Sequence, residues 1–293
     1  MDLLLHNPWA FTVVGFAIGA AMGSFLNVCA YRIPLGKSIV FPSSSCPKCD
    51  SKITWRNNVP IFSWLFLKGR AECCDFSIPV RYFLVELLVA LGWAWLFFHF
   101  YHTRDWAMFL TGCTFFWLLL GVIVVDAETM LIPDRFSIGG AFAGLVLALV
   151  FPSIQGFATN PLPVERIESL TISITGLLIG SSFIYWVGAL AEAILKKEAL
   201  GQGDVKLMGC IGAFCGWKAA IFIVFFGALI GTLFVLFQTI IKWRGKTQKD
   251  CGENSLGFGS QIPFGPYLAS ASIGYFFVFR SFFDAFLDKT FAF

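Results

Sequence analysis

The 293 residues are 57% apolar, 17% aromatic and only 13% charged, whereas a soluble globular domain carries roughly 25% charged residues. That balance excludes a soluble fold and places most of the chain in lipid. A formal net charge of only +3, with no long basic run interleaved with aromatics, gives no footing for a nucleic-acid partner.

Apolar stretches approaching the about 20 residues that a membrane-crossing helix needs recur through the chain. In order they predict helices over 9–30, 82–101, 106–125, 136–152, 170–195, 205–217, 219–241 and 262–286. The fold class is therefore all-α and polytopic, with about eight transmembrane helices. Trp9 to Tyr31 lacks a basic lead-in and an Ala-x-Ala cleavage site, so it reads as a retained span rather than a signal peptide. The stretch 205–217 is barely over half the usual length and has to be tilted, re-entrant or shielded by neighbouring helices. Residues 32–81, where Lys, Arg, Cys, Pro, Ser and Asn crowd together, form the one extramembrane segment. The chain thus divides into a first helix (1–31), a small Cys-containing segment (32–81) and a multi-helix core (82–293). Pro152, Pro161 and Pro163 mark 152–168 as an irregular loop.

Orientation follows from Lys and Arg, which are enriched in loops kept in the cytoplasm. With the loop after the first span inside and alternation thereafter, Arg104, Arg166, Lys218, Arg280 and Lys289 fall outside and the other 16 of the 21 basic residues fall inside. The Cys-containing segment is then cytoplasmic.

Carboxylates beside apolar spans are costly and ask for a role. Asp126 follows the run Phe115 to Val125 and opens Asp126-Ala-Glu-Thr-Met-Leu-Ile-Pro-Asp134. Pro133 disfavours helix at Ile132, so irregular backbone is expected from Asp126 to Pro133. Asp204 sits in Gly201-Gln-Gly-Asp-Val-Lys-Leu207, where the glycines allow close backbone approach. This is not a dinucleotide fingerprint, because Lys206 stands where the third glycine belongs and no strand precedes it. By the alternation both acids emerge on the cytoplasmic face. Two facing carboxylates share a proton, an arrangement suited to peptide hydrolysis, although interfacial helix-end residues are the plain alternative. Asp134 is expected to cap the helix near Phe136, and Glu86 to pair with Arg81 or Arg135; Glu128 is likewise given a structural role. His6, His99 and His102 fall outside, leaving no cytoplasmic histidine for a serine or metal protease.

The sequence resembles the type IV prepilin leader peptidases, bacterial inner-membrane aspartate proteases of the Gly-x-Gly-Asp type. The resemblance spans nearly the whole chain. It rests on Gly23-Ser-Phe-Leu-Asn-Val-Cys-Ala-Tyr-Arg-Ile-Pro34, on Cys46-Pro-Lys-Cys49 with Ile61-Phe-Ser-Trp-Leu65 and Arg81-Tyr-Phe-Leu-Val-Glu-Leu87, on the Asp126 and Asp204 blocks, and on Ile262-Pro-Phe-Gly-Pro-Tyr-Leu268. It implies that Asp126 and Asp204 are the catalytic pair. It also implies substrates that are prepilins or pseudopilins of a pilus, secretion or DNA-uptake machine. Their basic leader is cut after a glycine, and the new N-terminal residue, typically Phe, is methylated with S-adenosylmethionine. No fingerprint in the sequence locates that cofactor beyond the region from Asn27 to Arg81. A peptidase without methyltransferase activity and a transporter with intramembrane acids are the competing readings.

Family members usually carry a second Cys-x-x-Cys whose first cysteine would align with Ala71; here Ala71-Glu-Cys-Cys74 offers adjacent cysteines instead. Cys46, Cys49, Cys73 and Cys74 are thus either a tetrahedral zinc site or part of a metal-free loop held by Trp55, Phe62 and Trp64. Cys29, Cys113, Cys210, Cys215 and Cys251 read as small packing residues.

Overall fold

The computed structural model describes residues 7–46, 48–74, 76–156, 162–196, 200–245 and 263–291. His6, Pro161, Lys197, Lys246, Lys249, Cys251 and Ile262, which figured in the sequence reading, lie outside them. Among the described residues, ten α-helices are numbered here in chain order. They are α1 (Pro8–Arg32), the one-turn α2 (Phe62–Phe66), α3 (Val80–Thr103), α4 (Trp106–Thr129) and α5 (Asp134–Val150). There follow α6 (Leu162–Leu195), α7 (Gln202–Cys215), α8 (Trp217–Gly245), α9 (Gly265–Gly274) and α10 (Arg280–Phe291). Each predicted span has a helical counterpart. Among the described residues, 5 of them (α1, α3, α4, α6 and α8) are long and apolar enough to cross a membrane on their own.

The remaining three segments depart from a simple span. α5 has 17 residues and α7 has 14. The last predicted span, 262–286, breaks at a π-helical turn, Tyr275–Phe279, before the charged α10. The expected loop 152–168 is largely helix: one 3₁₀ turn, Pro152–Gln155, precedes α6, which starts at Leu162. Pro163 is tolerated there because the first-turn N–H groups of a helix have no intrahelical partner to lose.

Helix starts and stops follow local chemistry. Asn7 accepts a hydrogen bond from the Trp9 N–H at 3.0 Å and Pro8 opens α1. At the other end Arg32 donates to the carbonyls of Ser38 and Pro42, at 3.1 and 2.8 Å, folding the chain back under the helix. α1 packs along α3, and α7 is wedged among α5, α6, α8 and α9.

The wedge depends on one close crossing. Ser169, Ser173, Gly176, Gly180, Ile184 and Gly188 form a buried stripe on α6 at helical spacing, the small-residue face that lets membrane helices touch backbone to backbone. A Cβ on Gly176 would stand 2.3 Å from the Gly212 carbonyl oxygen, and one on Gly212 would stand 2.1 Å from that of Gly176. Ser173 donates to the Ala213 carbonyl at 2.6 Å. Every residue of α7 from Leu207 to Cys215 is buried, so its short length of about 21 Å meets protein rather than lipid.

The helices gather into two ends. At one, Gln155 donates to the Phe214 carbonyl at 3.3 Å, Arg280 donates to the Ile154 carbonyl at 2.7 Å, and Lys218 pairs with Asp288 at 2.5 Å. At the other, Lys206 pairs with Asp134 at 2.6 Å, and Arg81 pairs with Glu128. α7 therefore has Lys206, in its first turns, in the second group of contacts and Phe214, in its last turn, in the first.

Gly176→Leu or Gly212→Leu is expected to lower thermal stability in detergent by at least the about 1–3 kcal/mol typical of overpacking, because backbone stands where the new side chain would go. Gly139→Ala, where a Cβ meets nothing within 4 Å, is expected to be neutral or stabilising by up to about 1 kcal/mol. Thermal unfolding of the purified variants reads both.

Candidate active site

The helix that carries Asp126 does not end there. α4 continues one turn further, to Thr129, and stops when Met130 turns left-handed at φ 54° with its N–H on the Asp126 carbonyl at 2.9 Å. The expected irregular stretch is thus confined to Met130–Pro133, because Pro133 disfavours helix only at the residue before it and leaves Asp126–Thr129 free to stay helical. Asp204 also lies in a helix rather than a loop. Gly201 stands at the cap position and Asp204 in the first turn of α7, with its N–H on the Gly201 carbonyl at 3.1 Å. A carboxylate is favoured there by the positive end of the helix.

The structure brings the two acids together. Asp126 is 4% exposed and Asp204 is 7% exposed, and the carboxylates interact electrostatically. A glycine N–H faces each: that of Gly265, at the start of α9, faces Asp126, and that of Gly201 faces Asp204. Gly265 has no substitute at this distance, since a Cβ there would lie 2.6 Å from Asp126 Oδ2 and 3.0 Å from Ile132 Cδ1. Ile132 fills the space between Gly265 and Gly203, whose own Cβ would lie 3.1 Å from Ile132 Cβ. The pair is thereby walled by one isoleucine and two glycine backbones.

The neighbouring acids divide differently from expectation. Asp134 is the first residue of α5 and makes no side-chain cap; it bonds Lys206 of α7 instead. Glu128 takes Arg81. Glu86 pairs with neither Arg81 nor Arg135, because it lies along α3 against α1, where its Oε2 accepts the Ile61 N–H at 2.7 Å.

The Cys-containing segment builds a second centre. Two small turns are closed by antiparallel bridges, Ser45 with Lys52 and Arg70 with Ser77. The first presents Cys46 and Cys49, the second Cys73 and Cys74. Cys46 Sγ lies 3.5 Å from Cys74 Sγ, Cys49 Sγ lies 3.4 Å from Cys73 Sγ, and all four sulfurs fall within 4.8 Å of one another. Adjacent cysteines thus serve where a spaced pair was expected, because the turn at Glu72–Cys74 aims both inward. Four thiols in that compass match the donor set of a structural zinc. The metal-free alternative loses two of its three anchors: Trp55 and Phe62 are exposed, and only Trp64 packs, stacked on Phe83 with its ring N–H on the Ile78 carbonyl at 3.1 Å.

Hydrogen bonding also sorts the thiols by acidity. The hydroxyl and N–H of Ser51 bring Cys49 down to about 6, and the Lys48 and Cys49 N–H groups lower Cys46. Burial, helped by Cys46, pushes Cys74 up to about 12. In chelator near pH 7, iodoacetamide is expected to modify Cys49 well ahead of Cys74, since the thiolate is the nucleophile. The Cys49 rate should fall as pH drops through about 6, where the sulfur regains its proton. Peptide mass spectrometry reads the order, and equal labelling would refute it.

Between this segment and the membrane helices lies a cavity of about 1110 Å³. Its walls include Ser24, Asn27 and Tyr31 of α1, Tyr82 and Glu86 of α3, and Cys46 and Cys73 of the thiol cluster. The sequence did not disclose this chamber, which adjoins the Asn27–Arg81 stretch where the methyl donor was expected. The signal was present: Asn27 and Glu86 are polar residues inside apolar helices, which calls for a function by default.

Fold and site together describe a multi-pass membrane protein with a buried aspartate pair at one end of its bundle and an extramembrane four-thiol segment beside it. Residues 113–236 match the type IV leader peptidase family, and residues 17–100 match the bacterial peptidase A24 N-terminal domain. Curated relatives named prepilin leader peptidase/N-methyltransferase include one from Pectobacterium carotovorum, 31% identical with 92% of this chain and 93% of the relative covered. Another is from Klebsiella pneumoniae, 37% identical over 70% of this chain and 85% of the relative, and a third from Dichelobacter nodosus, 30% identical over 92% and 91%. No solved structure matches. The chain belongs to the type IV leader peptidase family and is an enzyme of that family.

Proposed function

We propose that the protein is a bifunctional enzyme of the bacterial inner membrane that removes the basic leader of prepilins or pseudopilins and then N-methylates the new terminus. Asp126 and Asp204 are its catalytic pair. The observation that carries this is the meeting of two buried carboxylates from separate helices at one end of the bundle, each facing a glycine N–H and both beside Ile132. The lysine and arginine bias puts that end in the cytoplasm. A prepilin presents its scissile bond there, between a basic leader kept inside and an apolar helix in the membrane.

Hydrolysis needs the pair in its singly protonated form. The ionised carboxylate takes a proton from water as the oxygen attacks the scissile carbonyl carbon, while the protonated carboxyl donates a hydrogen bond to the carbonyl oxygen. Collapse of the tetrahedral intermediate breaks the C–N bond, and a proton from the pair goes to the leaving amine. The neighbouring cation Lys206 is engaged by Asp134, which keeps it from neutralising the pair.

The division of the chain into 1–31, 32–81 and 82–293 follows the same split of labour. The core holds the acids. The Cys-containing segment is a zinc-bound lid of the chamber in which S-adenosylmethionine binds, and that cofactor supplies an electrophilic methyl group to the new amine. A chamber of about 1110 Å³ is ample for a molecule of that size. Cys46, Cys49, Cys73 and Cys74 hold the metal, which ties two turns far apart in sequence into one wall.

Asp126→Asn and Asp204→Asn are each expected to reduce cleavage of a prepilin-like peptide in detergent by at least about a hundredfold to ten-thousandfold, the usual contribution of acid–base catalysis. Intact cleavage by either variant would sink the mechanism. The wild-type rate should fall at both low and high pH, because one acid must be ionised and the other protonated. Mass spectrometry of the product tests the second activity through the methyl mass gain. Elemental analysis of wild type against Cys46→Ser and Cys74→Ser tests the metal; a zinc-free wild type ends that part of the proposal.

A further inference from the structure

The inner end of the chamber contains polar atoms that the leader-cleaving chemistry does not use. Asn27 is 2% exposed; its Nδ2 donates to the Tyr82 carbonyl at 3.0 Å, while its Oδ1 has no partner. A buried acceptor left unpaired is costly enough that it normally marks a missing ligand or water. The Glu86 carboxylate stands beside it, within hydrogen-bonding reach of Ser24 and Asn27, and both Asn27 and Glu86 line the chamber.

Two features separate this arrangement from a helix-packing contact. Among the described residues no lysine or arginine pairs with Glu86: Arg81 is taken by Glu128, and Arg32 by the carbonyls of Ser38 and Pro42. The one backbone donor on Glu86 comes from Ile61, a β-branched residue held at φ 66°. A positive φ is rare for isoleucine and tends to persist where a site requires it. The turn that roofs the chamber is therefore fastened to the same carboxylate.

An amide oxygen and a carboxylate side by side provide negative charge and acceptors together. The matching ligand is a small cation rich in N–H donors. Resting on the methyltransferase reading above, we propose that Asn27 Oδ1 and Glu86 form a subsite for a primary ammonium group in the methyl-transfer chamber. That group is carried both by the amino-acid end of the methyl donor and by the new N-terminus of the cleaved substrate. The subsite holds the ammonium by charge-assisted hydrogen bonds and takes no part in leader cleavage, since the aspartate pair is built from α4, α7 and α9.

The test uses the full chain in detergent, with Glu86→Gln, which keeps the acceptor for Ile61 but removes the charge, and Asn27→Leu, which removes the free acceptor. Leader cleavage is expected to stay within about twofold of wild type, which also reports that the variants fold. If the donor's ammonium sits there, binding of S-adenosylhomocysteine weakens by about tenfold or more while binding of methylthioadenosine, which lacks the amino-acid end, is unchanged. If the substrate's ammonium sits there, the KM of a pre-cleaved peptide beginning with Phe rises by about as much while both nucleosides bind as before. Either result supports the subsite. It is overturned if both constants stay at wild-type values in an active methyltransferase, or if cleavage falls in step with methylation in both variants. A wild type that cleaves but never methylates defeats the methyltransferase reading instead, and does so before any variant is made.

Discussion

The backbone contact between Gly176 and Gly212 sets the depth at which everything else is arranged. A 14-residue helix is too short to face lipid on its own account, and it survives because α6 approaches it with no side chain between them. The contact fixes the height of α7, and with it the position of the carboxylate in its first turn. Had either glycine carried a side chain, α7 would stand off from α6 and Asp204 would be displaced from Asp126. The acid pair is thus a product of packing at the middle of the bundle rather than of the loops beside it.

Much of this was legible in the sequence for a simple reason: lipid makes composition decisive. Helix positions followed from apolar run length, and the grouping of helix ends followed from lysine and arginine. Proline and glycine contexts singled out the two acids that the fold brings together but gave them the wrong backbone. Proline at 133 limits only the residue before it, so α4 keeps its helix through Asp126, and glycine at 201 serves as a helix cap rather than a loop. The pairings of Asp134, Glu128 and Glu86 were not legible. Each depends on which helix faces which, and hydropathy is silent about rotation of a helix around its own axis.

The cysteine segment shows the opposite relation between pattern and geometry. A regular spacing would have announced a cluster of four thiols, and the adjacent pair at 73 and 74 obscured it. Turn conformation supplied what spacing did not, with the bridge between Arg70 and Ser77 folding the short loop tightly enough to aim two neighbouring sulfurs at the other pair. The same segment closes over Asn27 and Glu86, so a centre made of thiols and a chamber lined by polar atoms share one wall.

Gly265 adds an element of timing. The Gly265 N–H that faces Asp126 is made after both acids, and at about 5–20 residues per second the ribosome needs roughly three to twelve seconds to travel from Asp204 to Gly265. During that interval the growing protein sits in the membrane with both acids already synthesised but one of them unsupported. A chain assembled in this order gains its full complement of contacts around the acid pair only as α9 inserts, so a copy stalled before Gly265 has the two acids without the backbone that walls them.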